Sequence, residues 1–391
     1  MDLFTKCERY TVPDDAKAAG IYPYFNELHT RQDTIVKMDG RDVIMLGSNN
    51  YLGLTSSDEV VQAGIKALEQ YGSGCSGSRF LNGTLCLHTK FERELADFVG
   101  KDECMTFGTG FLTNLGIIAG ITDRNDLIFS DKENHASIYD GCKLSYATTF
   151  RYNHADMSHL ERLLKNAPTD KGKLIITDGV FSMSGDICNL PDIVTLAKKY
   201  HARVMVDDAH GFGVLGNHGR GTCYHFGLTD QVDIIMGTFS KSLASMGGFC
   251  VASERVINWL RHISRPYIFC ASLAPVNTAC ANKALEMMRA DDSRRKHLLE
   301  ITAYTRAGLD KRGITYRQGN ITPIIPIYTH TQEKTFIACK MLFENGVYVN
   351  PVIAPAVPEN ECVIRVSLMA THTKELIDKA LDIIAKVLKN I

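Results

Sequence analysis

Two stretches decide the fold: Ala202-Arg203-Val204-Met205-Val206-Asp207-Asp208-Ala209-His210 and Val232-Asp233-Ile234-Ile235-Met236-Gly237-Thr238-Phe239-Ser240-Lys241. Each is a short run rich in Val, Ile and Met that ends on polar residues. Runs this short, separated by helical periodicity, read as strands of a largely parallel sheet. Three more lie at residues 126–131, 173–181 and 247–252. Upstream, Val61, Ile65 and Leu68 fall at i, i+4 and i+7, with Gly72 as a stop signal. Leu87, Phe91, Leu95 and Phe98 repeat that spacing before Gly100. The pattern from about residue 51 to 250 is therefore α/β.

Beyond this region the rhythm changes. Residues 275–312 read as two helices. A strand over 321–329, a helix over 331–346, strands over 347–352 and 362–368 and a last helix over 371–389 follow. That is α+β. The expected division is an N-terminal arm (1–50), a large domain (51–290) and a small C-terminal domain (291–391).

Composition narrows the partners. The 391 residues are 45% hydrophobic and 22% charged, which excludes a disordered chain or a coiled coil. Lys plus Arg minus Asp plus Glu is 43 − 44 = −1, so no basic nucleic-acid surface is expected. No run of 18 apolar residues argues for a membrane span. The N-terminus lacks the apolar core of a secretory signal. The 12 cysteines contain no CxxC pair and read as reduced, mostly buried thiols. A soluble cytoplasmic protein is expected.

Open parallel sheets bind ligands outside the carboxyl ends of their strands. Asp207 ends one strand and His210 follows it. A carboxylate there can be a helix cap, an ion-pair partner or the anchor of a cationic ligand. A metal site from Asp207, Asp208 and His210 lacks further ligands, so no metal is expected. Lys241 ends the second strand, 34 residues on, about one strand–helix–strand excursion from Asp207. It reads either as a solvated strand end or as a desolvated nucleophile. Gly72-Ser73-Gly74 and Gly108-Thr109-Gly110 sit beside helix starts, where backbone N–H groups bind phosphate. No P-loop and no GxGxxG after the first strand are present, which disfavours nucleotide folds. A lysine, a strand-end acid, a histidine and a phosphate loop together match the needs of pyridoxal 5'-phosphate (PLP).

At this point the chain resembles the α-oxoamine synthases, PLP enzymes with the aspartate aminotransferase fold. The resemblance runs from about Tyr22 to Ile384. It is carried by Ser48-Asn49-Asn50-Tyr51-Leu52-Gly53-Leu54, Gly77-Ser78-Arg79-Phe80-Leu81-Asn82-Gly83-Thr84, Asn134-His135-Ala136-Ser137, Asp178-Gly179-Val180-Phe181-Ser182, Asp207-Asp208-Ala209-His210 and Thr238-Phe239-Ser240-Lys241. It implies a large, mostly parallel sheet domain with a small α+β C-terminal domain. By the same resemblance, Lys241 is the Schiff-base lysine and Asp207 pairs with the pyridinium nitrogen. His135 stacks on the ring, and His210 and Ser182 lie near its phenolic oxygen. Gly110, Phe111, Thr238 and Ser240 meet the phosphate, and Ser272 reaches it from the neighbouring subunit. Arg365 and Asn50 hold the amino-acid carboxylate. A homodimer with its site at the subunit interface follows from the same pattern.

Most branches of this family carry a glycine just before the lysine. Here Phe239-Ser240 resembles the branch that joins L-serine to a long-chain acyl-CoA, as do Gly247-Gly248-Phe249-Cys250 and Arg265-Pro266-Tyr267. The alternatives are the branches making 8-amino-7-oxononanoate or 2-amino-3-ketobutyrate, or one using cysteate. Two positions depart from the serine branch. Asp208 stands where Glu is commoner, and the loop Asn350–Pro355 has no arginine near Ile353.

Overall fold

The computed structural model describes residues 2–319 and 322–391. It divides into two compact units, residues 49–298 and residues 1–48 with 299–391.

The larger unit is built on a seven-stranded sheet. Its order is Glu103–Phe107, Gly248–Ala252, Ile234–Thr238, Arg203–Asp207, Lys173–Asp178, Leu127–Asp131 and Thr148–Tyr152. Six strands run parallel, and Gly248–Ala252 runs against both of its neighbours. The short Val- and Ile-rich runs do form the centre of this sheet, so the α/β reading holds. Alternation explains why they are apolar throughout. Val204 and Val206 pack into the core on one face, while Met205 packs into the core on the other. Leu127 and Phe129 flank Ile128 in the same way. Helices cover both faces, and each fully buried side chain of this size contributes about 1.5–3 kcal/mol.

Glycines end the predicted helices. Gly72 caps Asp58–Tyr71 at φ +74°, and Gly100 caps Cys86–Val99 in the left-handed region at φ +87°.

The smaller unit holds two three-stranded sheets. In one, Cys362–Ser367 pairs antiparallel with Ile324–His330 and with Asn350–Val352. In the other, a hairpin of Ile35–Met38 and Arg41–Met45 pairs with Val347–Tyr348. That hairpin lies in the stretch read as an N-terminal arm. Its two-residue turn, Asp39-Gly40, has φ 47° and 73°, which suits the right-handed twist of the strands. Ile321, the first residue of one expected strand, lies outside the described residues. Among the described residues, no helix is long and apolar enough to cross a membrane.

Candidate active site

The carboxyl ends of the central strands open onto a cavity of about 290 Å³. Eight of the predicted residues line it: Gly110, Phe111, His135, Asp207, His210, Thr238, Ser240 and Lys241. The sheet register explains the convergence, since Asp178 pairs with Asp207 and Asp207 with Met236 on adjacent strands.

Asp207 is 4% exposed and has defined partners. Its Oδ1 accepts from the Ala209 amide (3.0 Å) and its Oδ2 from Asn114 Nδ2 (2.7 Å). A buried carboxylate with two donors is held as an acceptor. Asp178, also at the wall, is pushed well above the usual carboxylate range by burial and by the nearby Asp207. Lys241 sits in a tight loop closed by Phe239 N–H donating to Gly247 O (2.9 Å) and Ser245 N–H donating to Phe239 O (3.0 Å). Gly247 has φ +136°, and a Cβ there would stand 2.5 Å from the Phe239 ring, so the loop requires glycine.

His135 caps the helix Ala136–Ser145, its Nδ1 accepting from the Ser137 amide (3.3 Å). Although the residue is exposed overall, desolvation at the cavity wall holds its imidazole below the ordinary histidine value, with Lys241 pushing the same way against Asp207. His210 is buried, and its Nδ1 lies 2.6 Å from the Tyr51 hydroxyl. The helix Gly110–Ile121 begins at the wall, capped by Thr109 Oγ1, which accepts from Leu112 N–H (3.1 Å). Its first amides have no intrahelical partner. A Cβ at Gly110 would lie 2.8 Å from Thr238 Oγ1, so bare backbone is needed where helix and strand meet.

These residues fit pyridoxal phosphate. An acid, a lysine, an imidazole and a hydroxyl-flanked helix N-terminus line one cavity of suitable size.

Four predicted residues do not line this cavity. Asn50 Oδ1 accepts from the amides of Leu54 (3.1 Å) and Thr55 (3.3 Å). Ser182 is half-buried in the turn after Lys173–Asp178. Ser272 donates its hydroxyl to Gly77 O (3.1 Å). Arg365 belongs to the smaller unit, where it is buried and donates to Ser367 Oγ (2.6 Å). Asp208, one of the two departures, accepts from the Thr222 amide (2.7 Å) and hydroxyl (2.6 Å). Burial pushes it up to about 7.

Sequence reasoning assigned no role to Asn114, Ser137 or Tyr51. The one signal for Asn114 is an amide within the otherwise largely apolar run Phe111–Ile121.

Fold and site together define a PLP enzyme of the aminotransferase type. The chain belongs to the aminotransferase class I and II family, whose model matches residues 41–384. It is 52% identical over 387 residues to the serine palmitoyltransferase of Bacteroides ovatus, covering 99% of this chain and 98% of that one. An 8-amino-7-oxononanoate synthase of Bacillus velezensis is more distant, at 40% identity over 97% of this chain and 96% of its own. A solved SPT with PLP as internal aldimine matches at a TM-score of 0.97 and 34% identity, covering 100% and 99% of the two chains.

Proposed function

We propose that the protein is a PLP-dependent acyltransferase. It condenses L-serine with a long-chain acyl-CoA such as palmitoyl-CoA to give 3-ketodihydrosphingosine, CoA and CO2, the first step of sphingolipid synthesis. One observation carries the reading. Lys241, Asp207 and His135 converge on one cavity in a chain 52% identical to a serine palmitoyltransferase.

When bound, the cofactor supplies an electron sink for charge developing at the serine Cα. Lys241 would anchor it and would take the serine Cα proton as general base. Asp207, fixed by Asn114 and the Ala209 amide, would keep a proton on the ring nitrogen. His135 would cover a ring face, and His210, oriented by Tyr51, would meet the phenolic oxygen, the role assigned also to Ser182. Thr238, Ser240 and the helix start at Gly110-Phe111 take the phosphate, with Ser272 reaching it from a second subunit. Arg365 and Asn50 are assigned to the serine carboxylate, the arginine by a two-point pair. The serine Cα then bonds to the thioester carbonyl carbon. The C–S bond breaks and CoA leaves with the electron pair, His210 stabilising the carbonyl oxygen. The carboxylate departs as CO2, and a proton returns to Cα.

A homodimer and a cytoplasmic location belong to the same proposal. Phe80, Leu81 and Phe269 are exposed apolar side chains on loops joined by Ser272 N–H donating to Gly77 O (2.9 Å). All twelve cysteines are free thiols, which suits a reducing compartment.

Carboxyl-labelled serine with palmitoyl-CoA tests the function. Labelled CO2 and free CoA should appear in equal amounts. CoA release with the label retained in the product would contradict the reaction.

A further inference from the structure

Asn114 stands 93 residues from Asp207 in sequence, yet its side chain joins the two groups that face the candidate ring site. Nδ2 lies 2.7 Å from Asp207 Oδ2 and 2.8 Å from Ser137 Oγ. Ser137 Oγ in turn lies 2.7 Å from His135 Nδ1. Asn114, Ser137 and Asp207 are buried, while His135 is exposed at the cavity.

The proton directions follow from chemistry. Asp207 Oδ1 accepts from the Ala209 amide, and its Oδ2 accepts from the NH2 of Asn114. The second hydrogen of that NH2 then goes to Ser137 Oγ. That hydroxyl, already accepting, has its own hydrogen left to give to His135 Nδ1. Nδ1 also accepts from the Ser137 backbone amide at 3.3 Å, which a protonated Nδ1 could not do. The histidine is therefore neutral, with its proton on Nε2. Its depressed basicity in this site agrees. Asn114 Oδ1 is left buried with no hydrogen-bond partner. An unmatched buried carbonyl costs free energy that a leucine in this apolar helix would avoid. The amide offsets that cost with its two donated bonds.

We infer that Asn114 is a positioning residue, which through Ser137 locks the Asp207 carboxylate and the His135 ring into one orientation and fixes His135 as the Nε2–H tautomer. The link to PLP rests on the function proposed above; the tautomer does not.

The test uses the full-length protein, with and without PLP. Nitrogen-15 histidine NMR, with the His135 signal assigned by its loss in His135→Asn, should show Nδ1 unprotonated and Nε2 protonated in the wild type. A proton on Nδ1 overturns the inference, whether or not any variant folds. Asn114→Ala should weaken PLP binding about 10- to 150-fold, the effect of removing one hydrogen bond to a charged group. Ser137→Ala keeps the backbone amide on Nδ1 and so should keep the Nε2–H tautomer, and the double variant should bind PLP no more weakly than Asn114→Ala. Unchanged PLP affinity in Asn114→Ala, or fully additive losses, would also overturn the inference. Wild-type protein that takes up no PLP would instead defeat the proposed function, and the NMR result would still decide the tautomer.

Discussion

Gly110→Ala probes the junction between helix and strand where the phosphate is assigned. The added Cβ would lie 2.8 Å from Thr238 Oγ1 and 3.0 Å from its Cβ, against the 3.4 Å of ordinary contact. One side must therefore retreat by several tenths of an ångström. Thr238 is poorly free to move, since its hydroxyl donates to Gly247 O (2.9 Å) and lies 3.0 Å from Ser240 Oγ. Behind it, a Cβ on Gly248 would already meet the Gly110 Cα at 3.0 Å. Overpacking of this kind costs about 1–3 kcal/mol. At roughly 2–4 °C per kcal/mol for a unit of this size, Tm should fall by roughly 2–12 °C. On the proposed placement the Thr238 hydroxyl would turn from Gly247 O to the phosphate; displacing it would then cost about 1.5–3 kcal/mol of binding, a fall in PLP affinity of about 10- to 150-fold. Titration of the apo-protein with PLP, followed by absorbance, measures this directly. Wild-type affinity with an unchanged Tm would refute both the packing argument and the placement of the phosphate.

Other outcomes follow from the same geometry. Lys241→Ala should lose the visible absorption of lysine-bound PLP and all turnover; turnover at wild-type rate would remove Lys241 from the chemistry. Arg79 and Glu92 form a buried two-point pair (2.6 and 2.9 Å) whose carboxylate also accepts from Thr106. Arg79→Ala should cost about 3–5 kcal/mol by stranding that carboxylate, while Arg79→Met with Glu92→Leu should cost less than either single change. Thermal melts of the three variants decide it, and a double variant worse than both singles would contradict the argument. His372 is fully buried, its Nδ1 accepting from Met369 N–H (2.9 Å) and its Nε2 lying 3.1 Å from Met45 O. Burial lowers it to about 4. A depressed histidine stabilises the fold above its unfolded value of about 6.5, and this is lost as pH falls toward 4, by roughly 3 kcal/mol. Denaturant melts of His372→Ala should show a shallower decline between these pH values; an unchanged slope would refute the assignment.

Lys241, Asp207 and His210 were legible because each follows an apolar strand, and an open parallel sheet gathers such ends at one edge. Arg365, Ser272 and Asn50 could be proposed only from family likeness, since no spacing rule singles them out. The hairpin of residues 35–45 was overlooked although Asp39-Gly40 is a strong turn signal. Thr148–Tyr152 is an edge strand with exposed Thr148 and Arg151, so it lacks the apolar run that marked the central strands. Likewise, no local pattern joins Asn114 to Asp207, because only the folded sheet and helix bring them together. His154 illustrates the same limit. Burial alone would lower it, yet Asp131 (3.0 Å), Asp186 (3.5 Å) and Glu133 (3.6 Å) surround it and push it up to about 10. Nothing near it in sequence announces that cluster.

The central claim is the choice of substrates. The PLP-loaded protein should be incubated with serine, glycine, alanine or cysteate against short- and long-chain acyl-CoAs, with released thiol followed over time. Rapid thiol release is expected only with L-serine and a long-chain acyl-CoA. Preferred release with alanine, glycine or cysteate would contradict it.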